Sequence, residues 1–224
     1  MLKVQAIFFD LFNTLIDVGS VPASQGRNTA DILRIDRKTW NQACFGHHHE
    51  ICKPTKHVDV IRRIAHSLDP TIPFDMIEKA TNERQKRFDY ALKNVEDSIF
   101  KTLKTLKQRD LKIGLISNAS TDEVRAWHES PLFELMDTAI FSCHVGMQKP
   151  DPKIYHYALK QVGISAKDAL FIGDGGSKEH LGAQQAGVSS LLTTYFIEGK
   201  AEKGLSSRGE GSIGTIGHIS DLLV

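Results

Sequence analysis

A chain of 224 residues carrying 28 Lys and Arg against 27 Asp and Glu has no field of one sign to gather nucleic acid or anionic lipid. A small molecule is therefore the default partner. No stretch approaches the roughly 20 apolar residues of a membrane span, the N-terminal apolar run has neither a basic leader nor a small-residue cleavage site, and three cysteines without a CxxC pair suit a reducing compartment. These features predict a cytoplasmic protein, a monomer or homodimer with no membrane or nucleic-acid partner, long enough for a core with a large insertion.

Residues 4–9 form an apolar run that stops at Asp10, as a buried strand does when it delivers a polar residue to the rim of a sheet. Residues 18–94 then break the pattern, with helical periodicity over 39–45, 57–67 and 74–92 and no convincing strand. From residue 95 the order alternates: helix over 95–108, strand over 112–116, strand over 138–141, helix over 151–162, strand over 169–172, helix over 179–186 and strand over 189–193. Residues 204–217, rich in Gly and Ser, predict a loop, and 219–224 a final edge element. Alternating strand and helix implies a mostly parallel sheet covered on both faces, with its chemistry outside the carboxyl ends of the strands. The fold class is thus α/β, a Rossmann-like core over 1–17 and 95–224 with an inserted α-helical cap over 18–94.

The strand-end loops supply Asp10 and Thr14, then Ser117 and Asn118, then Lys149 in GMQKPDP, then Asp174 in FIGDGGSKEHLGA. Two carboxylates, a lysine and a hydroxyl beside backbone amides suit phosphoryl transfer to a carboxylate. Asp10 is the candidate nucleophile, and Asp10 with Asp174 offers the hard oxygen ligands that Mg²⁺ takes. Lys149 would neutralise phosphoryl charge and Ser117 would hold phosphoryl oxygens. Thr14, Asn118 and Gly175 are candidate substrate-binding positions.

At these residues the sequence resembles the haloacid dehalogenase superfamily: DLFNTL, LISNAS, the lysine of QKPDP and GDGGSKE occur in the family's order, with the insertion where its helical caps belong. The resemblance implies a hydrolase with an aspartyl nucleophile at Asp10 and Mg²⁺ held by Asp10, the backbone carbonyl of Phe12 and Asp174, supported by Glu179. The phosphatases of this superfamily usually carry a second aspartate, a general acid, where this chain has Phe12. Four readings follow. The first is a Mg²⁺-dependent phosphatase of a small phosphorylated metabolite, working without that acid; the second is a 2-haloacid dehalogenase, whose halide leaves without a proton. The third is a phosphonoacetaldehyde hydrolase-like enzyme using Lys53 or Lys56. The fourth, from another class, is a ligand- or partner-binding protein without turnover.

Other signals carry less. His47, His48 and His49 between Cys44 and Cys52 match no common zinc spacing and predict a polar loop. GEGSIG, residues 209–214, satisfies GxGxxG but follows no strand and opens no helix of a βαβ unit. Asp17 reads as a turn former and Asp122 as serving the start of the next helix. His128 and His180 read as surface or half-buried. Among Arg27, Arg34, Arg37, Lys53 and Lys56, one is expected to face the cleft.

Overall fold

Strict alternation along the first strand sets the layers. In a computed structural model describing residues 4–197 and 205–223, β1 (Ala6–Phe9) is buried throughout. Ile7 and Phe9 point into one apolar cluster and Ala6 and Phe8 into another on the opposite face. Side chains of a strand alternate between faces, and a strand apolar on both must be covered twice.

Around it lies a six-stranded, all-parallel sheet in the order β3-β2-β1-β4-β5-β6. The strands are β2 (Lys112–Ser117), β3 (Thr138–Phe141), β4 (Ala169–Gly173), β5 (Ser189–Thr193) and β6 (Gly214–Ile216). Phe9 stands opposite Leu115 of β2 and Ile172 of β4. Strand order reverses beside β1, and at such a switch point the strand-end loops diverge to leave a crevice.

Between β1 and β2 the regular structure is helical. It comprises α1 (Thr29–Leu33), α2 (Arg37–Cys44), α3 (His57–Leu68), α4 (Phe74–Lys93) and then α5 (Asp97–Gln108). The first four enclose an apolar cluster of their own, in which Trp40, Ile61, Ile64 and Ile77 are buried. Each such side chain contributes about 1.5–3 kcal/mol relative to exposure. Helix α1 was not expected; its start is marked by Asn28, whose Oδ1 accepts from Ala30 N at 2.9 Å.

Helices α6 (Ser142–Val145), α7 (Pro152–Val162), α8 (Glu179–Gln185) and α9 (Leu205–Arg208) complete the fold. Pro at the first position of α7 and Gly163 after its end punctuate it as expected. One expectation is corrected. The edge strand, β6, lies inside the Gly- and Ser-rich stretch expected to be a loop, whereas Ile219–Leu223 forms a 3-10 turn packed on α5. The strand is three residues long and pairs only with β5, so composition alone gave no alternation to detect. Residues 1–3, 198–204 and 224, which fall within the expected core, lie outside the described residues.

Candidate active site

Asp10 is the residue at which β1 ends, and its N–H donates to Ile172 O of β4 at 2.8 Å. The chain then turns sharply, with Leu15 N and Ile16 N both donating to Leu11 O. Asn13 adopts a left-handed φ of 59°, which asparagine tolerates better than most residues. The turn brings Thr14 Oγ1 to Asp10 Oδ2 at 3.2 Å.

Lys149 arrives from the loop before α7. Its Nζ donates to Asp10 Oδ1 at 2.5 Å and Glu179 Oε2 at 2.6 Å. Asn118 holds that loop, its Nδ2 donating to Lys149 O at 2.9 Å and its Oδ1 accepting from Lys149 N at 2.8 Å. Glycine at 182 lets α8 seat against the same loop, because a Cβ there would lie 2.3 Å from Pro150 O. Glu179 is fixed from its other side by Gly175 N, which donates to Oε1 at 2.8 Å, and Asp174 Oδ1 accepts from Gly176 N at 2.9 Å.

Asp10, Asp174 and Glu179 are all buried, and each offers a ligand oxygen within 4.8 Å of the others. Three carboxylates at this spacing are hard donors that fit Mg²⁺. Opposing them are Lys149 and Arg208, whose Nη1 lies 2.8 Å from Asp174 Oδ2. Burial pushes the Asp10 carboxyl above its ordinary range, with Asp174 adding to the rise and Lys149 countering it. Burial likewise pushes Glu179 to about 8, against the pull of Lys149. Burial works against the charged lysine, yet the two carboxylates together hold its pKa above the usual value. The three acids outnumber the two cations facing them, and the upward shifts of Asp10 and Glu179 are those of buried, crowded carboxyls that a bound cation would relieve.

Asp10, Phe12, Asn118, Lys149, Asp174 and Glu179 border one cleft of about 1030 Å³ between the strand ends and the helical insertion. Thr14, Ser117 and Gly175 do not border it. Ser117 Oγ is enclosed without a hydrogen-bond partner among the described residues, and Gly175 directs its N–H to Glu179. The Phe12 ring meets Phe88 of α4 edge-on at 5.4 Å.

Above that pair, Arg84 lies 4.4 Å over the Phe88 ring and pairs with Glu123, which His49 Nε2 approaches at 3.4 Å. Arg87 Nη2 donates to Val18 O at 2.6 Å. Of the expected cations only Arg37 borders the cleft, paired with Asp31 at 2.6 Å. Arg84, Arg87 and Glu123 went undetected, since at helical spacing such charges read as a solvated face.

Two readings are corrected. Asp122 does not serve its own following turn; its Oδ2 accepts from His57 N at 2.8 Å and so caps α3, 65 residues earlier. His180 is fully buried, its ring near Phe171 and neither nitrogen bonded among the described residues, and burial lowers its pKa to about 4. The histidine run forms a turn in which His49 Nδ1 bonds Cys44 O at 2.8 Å.

Comparison with known proteins places the chain among hydrolases. The chain is 25% identical over 209 residues to pyrophosphatase PpaX of Bacillus cereus (strain AH820), covering 89% of this chain and 88% of that protein. It is 30% identical over 206 residues to phosphoglycolate phosphatase 1 of Pseudomonas aeruginosa, covering 84% and 69%. The fold is similar to that of a 2-haloacid dehalogenase from Pseudomonas syringae pv. Tomato DC3000, with TM-score 0.62 and 21% identity over 98% of this chain and 96% of that one. The family model described as haloacid dehalogenase-like hydrolase matches residues 4–187, and the chain belongs to that family.

Proposed function

We propose that this hydrolase is a Mg²⁺-dependent phosphatase of a small phosphorylated metabolite, with Asp10 as nucleophile and residues 18–94 as a cap over the cleft. The observation that carries the reading is the buried set Asp10, Lys149, Glu179 and Asp174. An array of acids bridged by a lysine serves an anionic substrate that needs a cation beside it, and a 2-haloacid makes no such demand. Asp10, Asp174 and Glu179 would hold Mg²⁺, together with the Phe12 carbonyl. When bound, the ion supplies positive charge against the phosphoryl oxygens.

Asp10 attacks phosphorus, the bond from phosphorus to the ester oxygen breaks, and an aspartyl phosphate forms. Water then attacks phosphorus, releasing orthophosphate and restoring Asp10. Lys149, already in contact with Asp10, keeps the nucleophile ionised and oriented. No side chain at position 12 protonates the leaving oxygen, which therefore takes its proton from water. General acid catalysis is worth roughly 10²–10⁴ in rate, so activated esters should turn over far better than alkyl phosphates.

A second reading, 2-haloacid dehalogenation, is favoured by one observation: Phe12 and Phe88 give the cleft an apolar floor beside the nucleophile. Release of phosphate and of halide, measured on aryl phosphates, alkyl phosphates and 2-haloacids with Mg²⁺ or with EDTA, separates the two. The expected result is metal-dependent phosphate release, lost in Asp10→Asn. Halide release indifferent to EDTA would overturn it.

A further inference from the structure

Arg208, at the end of α9, reaches into the acid centre from a part of the chain that none of the four motifs includes. Its Nη1 donates to Asp174 Oδ2 at 2.8 Å and to Asp174 O at 2.9 Å. Backbone packing enforces the approach: a Cβ on Gly175, whose φ is +80°, would lie 2.3 Å from Arg208 O, and a Cβ on Gly211 would lie 2.8 Å from Leu181 N. The segment around Arg208 thus rests directly on the loop that carries Asp174.

The two cations of the centre differ in kind. The Lys149 side chain is 2% exposed and bridges two carboxylates, while that of Arg208 is 29% exposed and holds a single carboxylate. Of the pair, Arg208 is the one whose ion pair can open to solvent at little cost. Its departure removes one positive charge from beside the three acids. We propose that Arg208 is a built-in competitor of the divalent ion for Asp174, so that seating of Leu205–Arg208 lowers metal affinity and metal binding unseats it. This rests on the metal-dependent reading above. Arg208 acts through Asp174, as a positioning residue.

The test is Mn²⁺ affinity, read from the electron paramagnetic resonance of the free ion, for the full chain and for Arg208→Ala, Arg208→Gln and Arg208→Lys. The expected result is at least about tenfold tighter binding in the Ala and Gln variants, the size of effect from removing a unit charge about 5 Å from a divalent ion even at the dielectric of water, with Arg208→Lys close to the wild type. Equal or weaker affinity in the Ala and Gln variants overturns the role of Arg208 and leaves the metal site standing. Absence of Mn²⁺ binding in every form, Arg208→Ala included, overturns both. Should the variants fail to fold, tryptic cleavage after Arg208 in the wild type decides: it should quicken when Mg²⁺ is added, and an unchanged or slower rate contradicts the proposal.

Discussion

On the proposed reaction, position 12 is where the family resemblance places a proton donor, and in this chain Phe12 packs there instead. Its ring packs edge-on against Phe88, which lies beneath the guanidinium of Arg84, so the side chain ties the loop after Asp10 to α4. Replacing it by aspartate exchanges that contact, worth about 1 kcal/mol, for an acid beside Asp10. Phe12→Asp should raise turnover of alkyl phosphates up to about 100-fold while lowering the thermal midpoint slightly. Parallel assays of alkyl and aryl phosphates check this. Equal rates for wild type and a folded variant on alkyl esters would mean that position 12 is not where protons are handled. The positions of Asp10 and Asp174 were legible in the sequence because each follows an apolar run in a strand-and-helix rhythm, and that of Lys149 because it stands in the GMQKPDP stretch. Arg208 was not, because its partner Asp174 is 34 residues away and no periodicity links them.

Between elements, the insertion is held to the sheet by Ala91 and Leu92 of α4, which join the apolar cluster of Ile7 and Phe9, and by a polar seam beside it. Asp122 caps α3 through His57 N, and Gln85 of α4 bonds both the His57 ring and Asp122 O, at 2.9 and 2.7 Å. Arg84 pairs with Glu123 and Arg125 with Asp89 across the same boundary. Asp122→Ala should cost about 1 kcal/mol, the usual value of a helix cap, measured by denaturant unfolding; a loss below a few tenths would show that the cap is idle. The strands and most helices were legible from their periods, but this seam was not, since its partners lie far apart in the chain.

The seam also predicts a pH dependence. His57 is buried, with Arg84, Glu123, Gln85 and Asp122 around it, and burial, with Arg84 adding to the effect, lowers its pKa from 6.5 to about 4. Between those values the unfolded chain binds a proton that the folded one refuses, so stability is lost as pH falls from 6.5 towards 4, by up to roughly 3 kcal/mol. Glu179, raised from 4.5 to about 8, acts in the opposite sense, losing stability as pH rises through that window. The difference between wild type and His57→Asn isolates the histidine: unfolding midpoints of the variant should fall less steeply below pH 6.5, and parallel curves would exclude the effect.

At the scale of the molecule, the sheet order places β1 and β4 on either side of the switch point, and residues of the helical insertion line the crevice that opens there. The α/β class and the helical insertion were readable from the rhythm of apolar runs. The edge strand β6 was not, since three residues pairing with one neighbour leave no pattern. Nor does sequence alone show how the insertion meets the sheet, which depends on how α4 packs on the loop after Asp10. Among the described residues no helix is long and apolar enough to cross a membrane. The insertion lines the cleft with Arg37, Arg84, Arg87 and His49, polar groups that, on the proposed function, would recognise the remainder of a small phosphate ester. The central claim is covalent transfer of that group to Asp10, and the most direct measurement is mass analysis of the peptide containing Asp10 after rapid acid quench of turnover on an aryl phosphate with Mg²⁺. The account predicts a peptide heavier by one phosphoryl group, absent in Asp10→Asn and absent when EDTA replaces the metal. An unmodified peptide throughout turnover, with phosphate still released by Asp10→Asn, would contradict it.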